Sequence, residues 1–194
     1  GKYQIRSMVN ELMISNPIAK RLFKAKQEIV GVNELESYFD RLYPICRSIL
    51  GKGFRESLSI LSEIIPFEEV RFQSGTDVLD WTIPDEWEIN DGYIVKPNGE
   101  KIAKFLDNNL HIMNYSEPVD KYMTLTELKK HIYTLPDMPN EFPYVHSYYK
   151  RRWGFSLATN QLKELEDGQY RAFIDSSFSP GHLVYGEHVI QGLT

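Results

Sequence analysis

Five histidines, one cysteine and two aromatic segments are the residues of this chain whose types and spacing could do chemistry. Catalytic zinc needs three protein donors converging on one ion, with a further position left open for water. His111, His131, His146, His182 and His188 form no His-Glu-x-x-His pair. His182 and His188 share strand parity, but an extended run of that length separates them by about 20 Å, too far for one ion. The residues therefore predict no metal site and no catalytic residue, and five hydrogen-bonded or surface imidazoles. Cys46 follows Pro44-Ile45 with no histidine nearby in sequence, which predicts a structural thiol rather than a nucleophile. No Gly-x-Ser-x-Gly elbow is present, and Gly51-Lys52-Gly53 lacks the flanks of a phosphate-cradling loop.

Residues 80–91 join Trp81 and Trp87 to five carboxylates. That composition could attract a cationic group such as a peptide amino terminus, or form a tryptophan-anchored loop with a solvated acidic face. Residues 142–155 hold six aromatics in fourteen positions, beside Lys150, Arg151 and Arg152. They could form a stacking or carboxylate-binding surface, or pack across a domain interface.

The elements that must position these residues divide into a helical front and a strand-rich back. Apolar spacing over 4–29 predicts two short helices broken near Asn16-Pro17. A helix capped by Asn33 should stop or kink at Pro44, and a second should run from Phe54 to Ile65, before Pro66. The period then becomes strand-like. Strands are expected at 69–72, 87–95, 102–106, 110–115, 169–175 and 182–190, with Asn98-Gly99 as a hairpin turn. Thr124 should cap a short helix over 125–132, with Glu127 completing a capping box. The fold class is α+β: N-terminal helices, then a mainly antiparallel β sandwich or barrel-like domain with one or two short helices. Expected divisions are a helical extension at 1–33, a helical segment at 34–66 and a β-rich domain at 67–194.

Composition narrows the function classes. With 42% hydrophobic and 13% aromatic residues, the sequence is that of a folded globular protein. Its 22 Lys plus Arg against 27 Asp plus Glu give a net charge of -5, which disfavours nucleic acid as a partner. No apolar run is long enough to cross a membrane and no leader pattern is visible, so a cytoplasmic location without membrane association is expected.

Leu42-Tyr43-Pro44-Ile45-Cys46-Arg47-Ser48-Ile49 with Gly51 and Arg55-Glu56, then Trp81 to Trp87, Leu110 to Ser116, Leu135-Pro136-Asp137 and Ser147 to Phe155, resemble in order the signatures of a bacterial aminopeptidase-like family. The resemblance spans roughly residues 36–192. It implies kinship with zinc aminopeptidases of the two-metal kind that carry an inserted β-rich domain like the protease-associated domain, many of them known only as domains of unknown function. In that family the metal ligands follow a strand ending like Val184 to Ile190, and this sequence ends at Thr194 before them. Residues 1–32 depart from the usual family start, and Ser156 stands where cysteine is common. The resemblance further implies that 34–66 belong to a peptidase-like lobe and that the β-rich domain lines a substrate cleft. Arg47, Tyr148, Tyr149, Lys150 and Trp153 are then the cleft candidates.

Two functions follow as expectations. One is the N-terminal part of an aminopeptidase-like zinc metallohydrolase, inactive alone, whose partners are a peptide or small amino-terminal substrate and a catalytic lobe outside this sequence. The other is a non-catalytic peptide or protein interaction module. No cofactor is expected in this chain itself, zinc being implied for full-length relatives. Front helices without their lobe would expose an apolar face and favour self-association.

Overall fold

The structure, a computed structural model, describes residues 32–192, and the two helices expected over 4–29 lie outside the described residues. The chain divides into two compact units between Tyr43 and Pro44. The described part of the first is helix α1 (Val32–Leu42). Asn33 thus falls inside the helix rather than before it, and its side chain is outside the described ones. The Tyr43 amide donates to Phe39 O at 2.8 Å, the last turn before Pro44, which cannot continue the ladder. Helix end and proline coincide as the sequence predicts.

In the second unit the first helix is preceded by Gly51, whose φ of 108° is a conformation side-chain-bearing residues rarely adopt. Helix α2 (Lys52–Leu61) follows, starting two residues earlier than expected and closing in a turn that reaches Ile65. The strands are β1 (Glu68–Gln73), β2 (Asp77–Val78), β3 (Trp81–Thr82), β4 (Glu86–Val95), β5 (Lys101–Ile102), β6 (Val119–Thr124), β7 (Ile132–Tyr133), β8 (Phe155–Ser156), β9 (Gln169–Ser179) and β10 (His182–Glu187). Short helices α3 (Leu125–Leu128) and α4 (Thr159–Lys163) lie between β6 and β7 and between β8 and β9.

Among the described residues, one four-stranded antiparallel sheet runs in the order β5-β4-β9-β6, joined by the pairs β1-β10, β2-β3 and the parallel β7-β8. The protein is α+β with mainly antiparallel strands. Strand β9 shows the period-2 signature of a half-buried strand: Tyr170, Ala172, Ile174 and Ser176 are buried while Arg171, Phe173 and Asp175 are not. Together with Ile94 and Val119 those inward residues meet Leu125, Leu128, Phe155 and Leu157 in one apolar cluster. The Asn98-Gly99 turn forms, with Gly99 at φ 87° and the Glu100 amide donating to Asn98 Oδ1 at 3.0 Å. Thr124 Oγ1 accepts the Glu127 amide at 3.4 Å and starts α3 as expected.

Two expectations differ. The return strand over 102–106 stops at Ile102, where Ala103 takes a left-handed φ of 50°. Residues 110–115 are not a strand: Asn108 caps a single 3-10 turn at Asn109–His111, and the following residues make only isolated bridges. Their backbone bonds go to a distant loop, with Met113 N donating to Gly154 O, Asn114 N to Val145 O and Glu117 N to Arg152 O. Strand β6 was not foreseen, because three of its first four residues point polar or exposed groups outward and give no alternation.

Candidate functional site

The loop 144–154 has no regular secondary structure beyond isolated bridges, yet it is fixed along its length by the segment Met113 to Glu117. Ser147 N donates to Asn114 O at 2.9 Å, completing a reciprocal pair across the two segments. Ser116 is the hub of this arrangement. Its hydroxyl donates to Met113 O at 2.6 Å and accepts from Gly154 N at 3.3 Å. Its carbonyl accepts both Trp87 Nε1 at 2.9 Å and Ser176 Oγ at 2.8 Å. A buried polar residue satisfied on every side locks a unique geometry, since leaving any of these groups unpaired would cost about 1–3 kcal/mol.

Tyr115 sits beside that hub at φ 66°, a strained backbone for a non-glycine residue. The turn aims its ring between Trp87, Tyr148 and Phe178, with centroids at 5.9, 5.0 and 5.9 Å. Its hydroxyl donates to Asp85 O at 2.9 Å. Burial pushes the Tyr115 phenol well above its ordinary range. The Tyr148 phenol is likewise pushed up, first by burial and then by its hydrogen bond with Tyr144. Both rings are therefore neutral donors at physiological pH.

These residues form the floor of a cavity of about 300 Å³ between two walls. One wall is the tryptophan segment, from Thr82 to Asp85, held by Gly75 N donating to Ile83 O and Ile83 N donating to Thr76 O. The other is Ser147 to Arg151 of the aromatic and basic segment. Trp81 and Tyr149 meet edge to face at 6.3 Å. Arg151 reaches Asp85 at 3.8 Å and lies over the Phe178 ring at 3.5 Å. The two segments that stood out in the sequence thus face each other across one cleft.

Of the cleft candidates, Tyr148, Tyr149 and Lys150 line this cavity. Trp153 lies elsewhere, stacked on His131 at 3.6 Å and edge-on to Phe155 of the core. Arg47 is exposed and is not among the lining residues. Sequence reading missed Tyr115 and Phe178. Tyr115 carried no signal because its position depends on a positive φ, and Phe178 because it continues β9 past its expected end.

Glu86 is the first residue of β4 and anchors it. Its carboxylate accepts both Arg55 guanidinium nitrogens, the second at 3.0 Å, and the His182 amide at 3.0 Å. That ties α2, β4 and β10 together, and the Arg55 hydrogen bond holds the Glu86 carboxyl below the usual range against the opposing effect of burial. A Cβ at Gly181 would collide with this carboxylate, so any larger residue there must displace the Glu86 side chain from its bonds. Cys46 is half-buried and burial pushes its thiol up to about 11, which leaves it protonated and unreactive at neutral pH.

Zinc, implied by the family resemblance, does not fit the described donors. Among the described residues no three His, Cys, Asp or Glu side chains are grouped to hold an ion. The imidazoles are engaged separately. His111 Nδ1 meets Ser156 O at 3.0 Å, His131 stacks on Trp153, and His146 stacks on Tyr148 at 4.2 Å. Nor is any helix among the described residues long and apolar enough to cross a membrane.

Residues 86–177 match the family described as a domain of unknown function, DUF2172. The chain is 48% identical over 159 residues to a Clostridium acetobutylicum protein provisionally named as a polysaccharide biosynthesis protein with an aminopeptidase-like domain. That alignment covers 82% of this chain and 37% of the relative. A crystal structure from the same organism, provisionally described as a peptidase, superposes with a TM-score of 0.75 at 48% identity, over 82% of this chain and 38% of that one. The chain spans little more than a third of the length of these relatives. Together the similarities support a relationship to aminopeptidase-like proteins, with residues 86–177 carrying the DUF2172 domain.

Proposed function

We propose that this chain is the N-terminal part of an aminopeptidase-like metallohydrolase, inactive alone, and that its β-rich domain contributes a peptide-binding cleft. The observation that carries the reading is the 300 Å³ cavity in which the tryptophan segment and the aromatic, basic segment meet. Its mixture of aromatic faces, neutral phenols and cations suits a peptide, which offers apolar side chains and polar ends together. The relative's name, with its aminopeptidase-like domain, supports the same substrate class. In this reading the hydrolytic metal is supplied by residues beyond this sequence, and no step of hydrolysis runs through the described histidines.

A second reading is favoured by one specific feature. Every lining residue falls between Gly75 and Phe178, inside one compact unit, so binding needs nothing outside it. A non-catalytic peptide module would use the same cleft without metal. Calorimetric titration with the dipeptide Gly-Phe, with and without EDTA, tests the cleft. We expect saturable binding that survives the chelator, falls at least about tenfold in Tyr148→Ala, and is accompanied by no release of free phenylalanine. Absence of binding at millimolar peptide would defeat both readings, and hydrolysis by this chain alone would defeat the claim of inactivity.

A further inference from the structure

The cations of the cleft outnumber its acids. Lys150 and Arg151 line it, and Asp85 is the single acidic residue among the lining residues. Arg151 meets Asp85 only at 3.8 Å between partly exposed groups, a contact too long for a hydrogen bond. Its guanidinium lies over Phe178 at 3.5 Å. A guanidinium whose face is covered by a ring keeps its N–H groups directed outward in its plane, the fork that grips a carboxylate with two parallel bonds. Lys150 is exposed and has no ion-pair partner among the described residues.

The turn that carries both cations is held in place without a ligand. The Ser147 hydroxyl donates to Lys150 O and accepts from Arg152 Nε at 3.0 Å, while Arg152 Nη2 donates to His146 O at 3.3 Å. Ser147 is itself buried, which anchors this short network at its inner end while Arg152 remains exposed. Preorganisation of this kind lowers the ordering cost of binding. Directly beside the cations stand the rings of Tyr148 and Tyr149, the second 74% exposed and free to cover an apolar group.

We propose that the cleft receives a free carboxylate carried next to an apolar or aromatic side chain, as at the C-terminus of a short peptide. Lys150 and Arg151 meet the carboxylate, and Tyr148 and Tyr149 pack on the side chain. This rests on the peptide-binding reading and adds polarity to it: the carboxylate end of the ligand enters this cleft, and two adjacent cations repel an ammonium end.

The test compares Gly-Phe, N-acetyl-Gly-Phe and Gly-Phe amide by calorimetry on the whole 194-residue chain. The acetylated peptide is expected to bind as well as Gly-Phe, and the amide at least about tenfold more weakly. Lys150→Ala and Arg151→Ala each reduce affinity for the two acids by about tenfold and leave the amide unchanged, so the preference shrinks in both variants. Lys129→Ala, which removes an exposed cation not among the cleft residues, changes nothing. Added salt weakens the acids more than the amide. Equal binding of acid and amide, with both lost in Tyr148→Ala, would overturn the carboxylate assignment while sustaining the peptide cleft. Failure of all three peptides to bind would remove both.

Discussion

Arg55 with Glu86 and Arg151 with Asp85 are both guanidinium–carboxylate pairs, and they do opposite things. Glu86 is nearly buried, accepts three hydrogen bonds and fastens a helix to two strands. Asp85, its neighbour in sequence, meets Arg151 loosely at the mouth of a cleft. The first pair is used up by the fold, and the second leaves its guanidinium for a ligand. The difference teaches where to look for function in this domain: the Glu86 carboxylate is consumed by the fold, whereas the Arg151 guanidinium keeps hydrogen-bonding capacity at the cleft.

Substitutions can sharpen or break that contrast. Truncating Phe155, fully buried in the core cluster, should cost the most: Phe155→Ala is expected to destabilise by about 3–5 kcal/mol, read as a lower urea midpoint. Glu86→Gln comes next, at about 2–3 kcal/mol, because Arg55 and the His182 amide lose a charged acceptor while Arg55 remains partly exposed to water. A loss below about 0.5 kcal/mol would place this pair with the ordinary surface pairs and erase the contrast. Gly181→Ala should also destabilise, and less so when Glu86 is already alanine, since the clash is with that carboxylate.

The pH dependence follows with a definite sign. The Glu86 carboxyl is held lower in the folded protein than in the unfolded chain, where it titrates at about 4.3. Its contribution is fully present above that value and is lost as the pH falls through the folded pKa. Denaturant midpoints of the wild type should therefore fall more steeply below about pH 4.3 than those of Glu86→Gln. Parallel curves would show that the depressed carboxyl is not Glu86. The smallest effect belongs to the rim: Tyr149→Ala should leave stability within about 0.5 kcal/mol while weakening peptide binding. A large stability loss there would mean the rim is structural.

The helix end at Pro44, the Thr124 cap and the Asn98-Gly99 turn were legible in the sequence, because each depends on neighbours a few residues apart. The segment 110–115 was not, since its apolar and polar residues alternate as a strand's do while its backbone partners lie in the loop near Gly154. Periodicity reports which side chains are buried, but not which backbone supplies the hydrogen bonds.

By itself, the sequence determined that Trp81 to Asp85 and Tyr148 to Arg151 carry aromatic and charged chemistry. Only the tertiary structure decided that those two segments face one another, that Tyr115 and Phe178 complete the cleft, and that Trp153 turns into the core side instead. The reason is physical: residue type and short-range spacing fix local conformation, whereas the meeting of distant segments depends on which of many pairings best satisfies buried polar groups. In this chain Ser116 makes that choice by bonding Trp87, Gly154 and Ser176 at once.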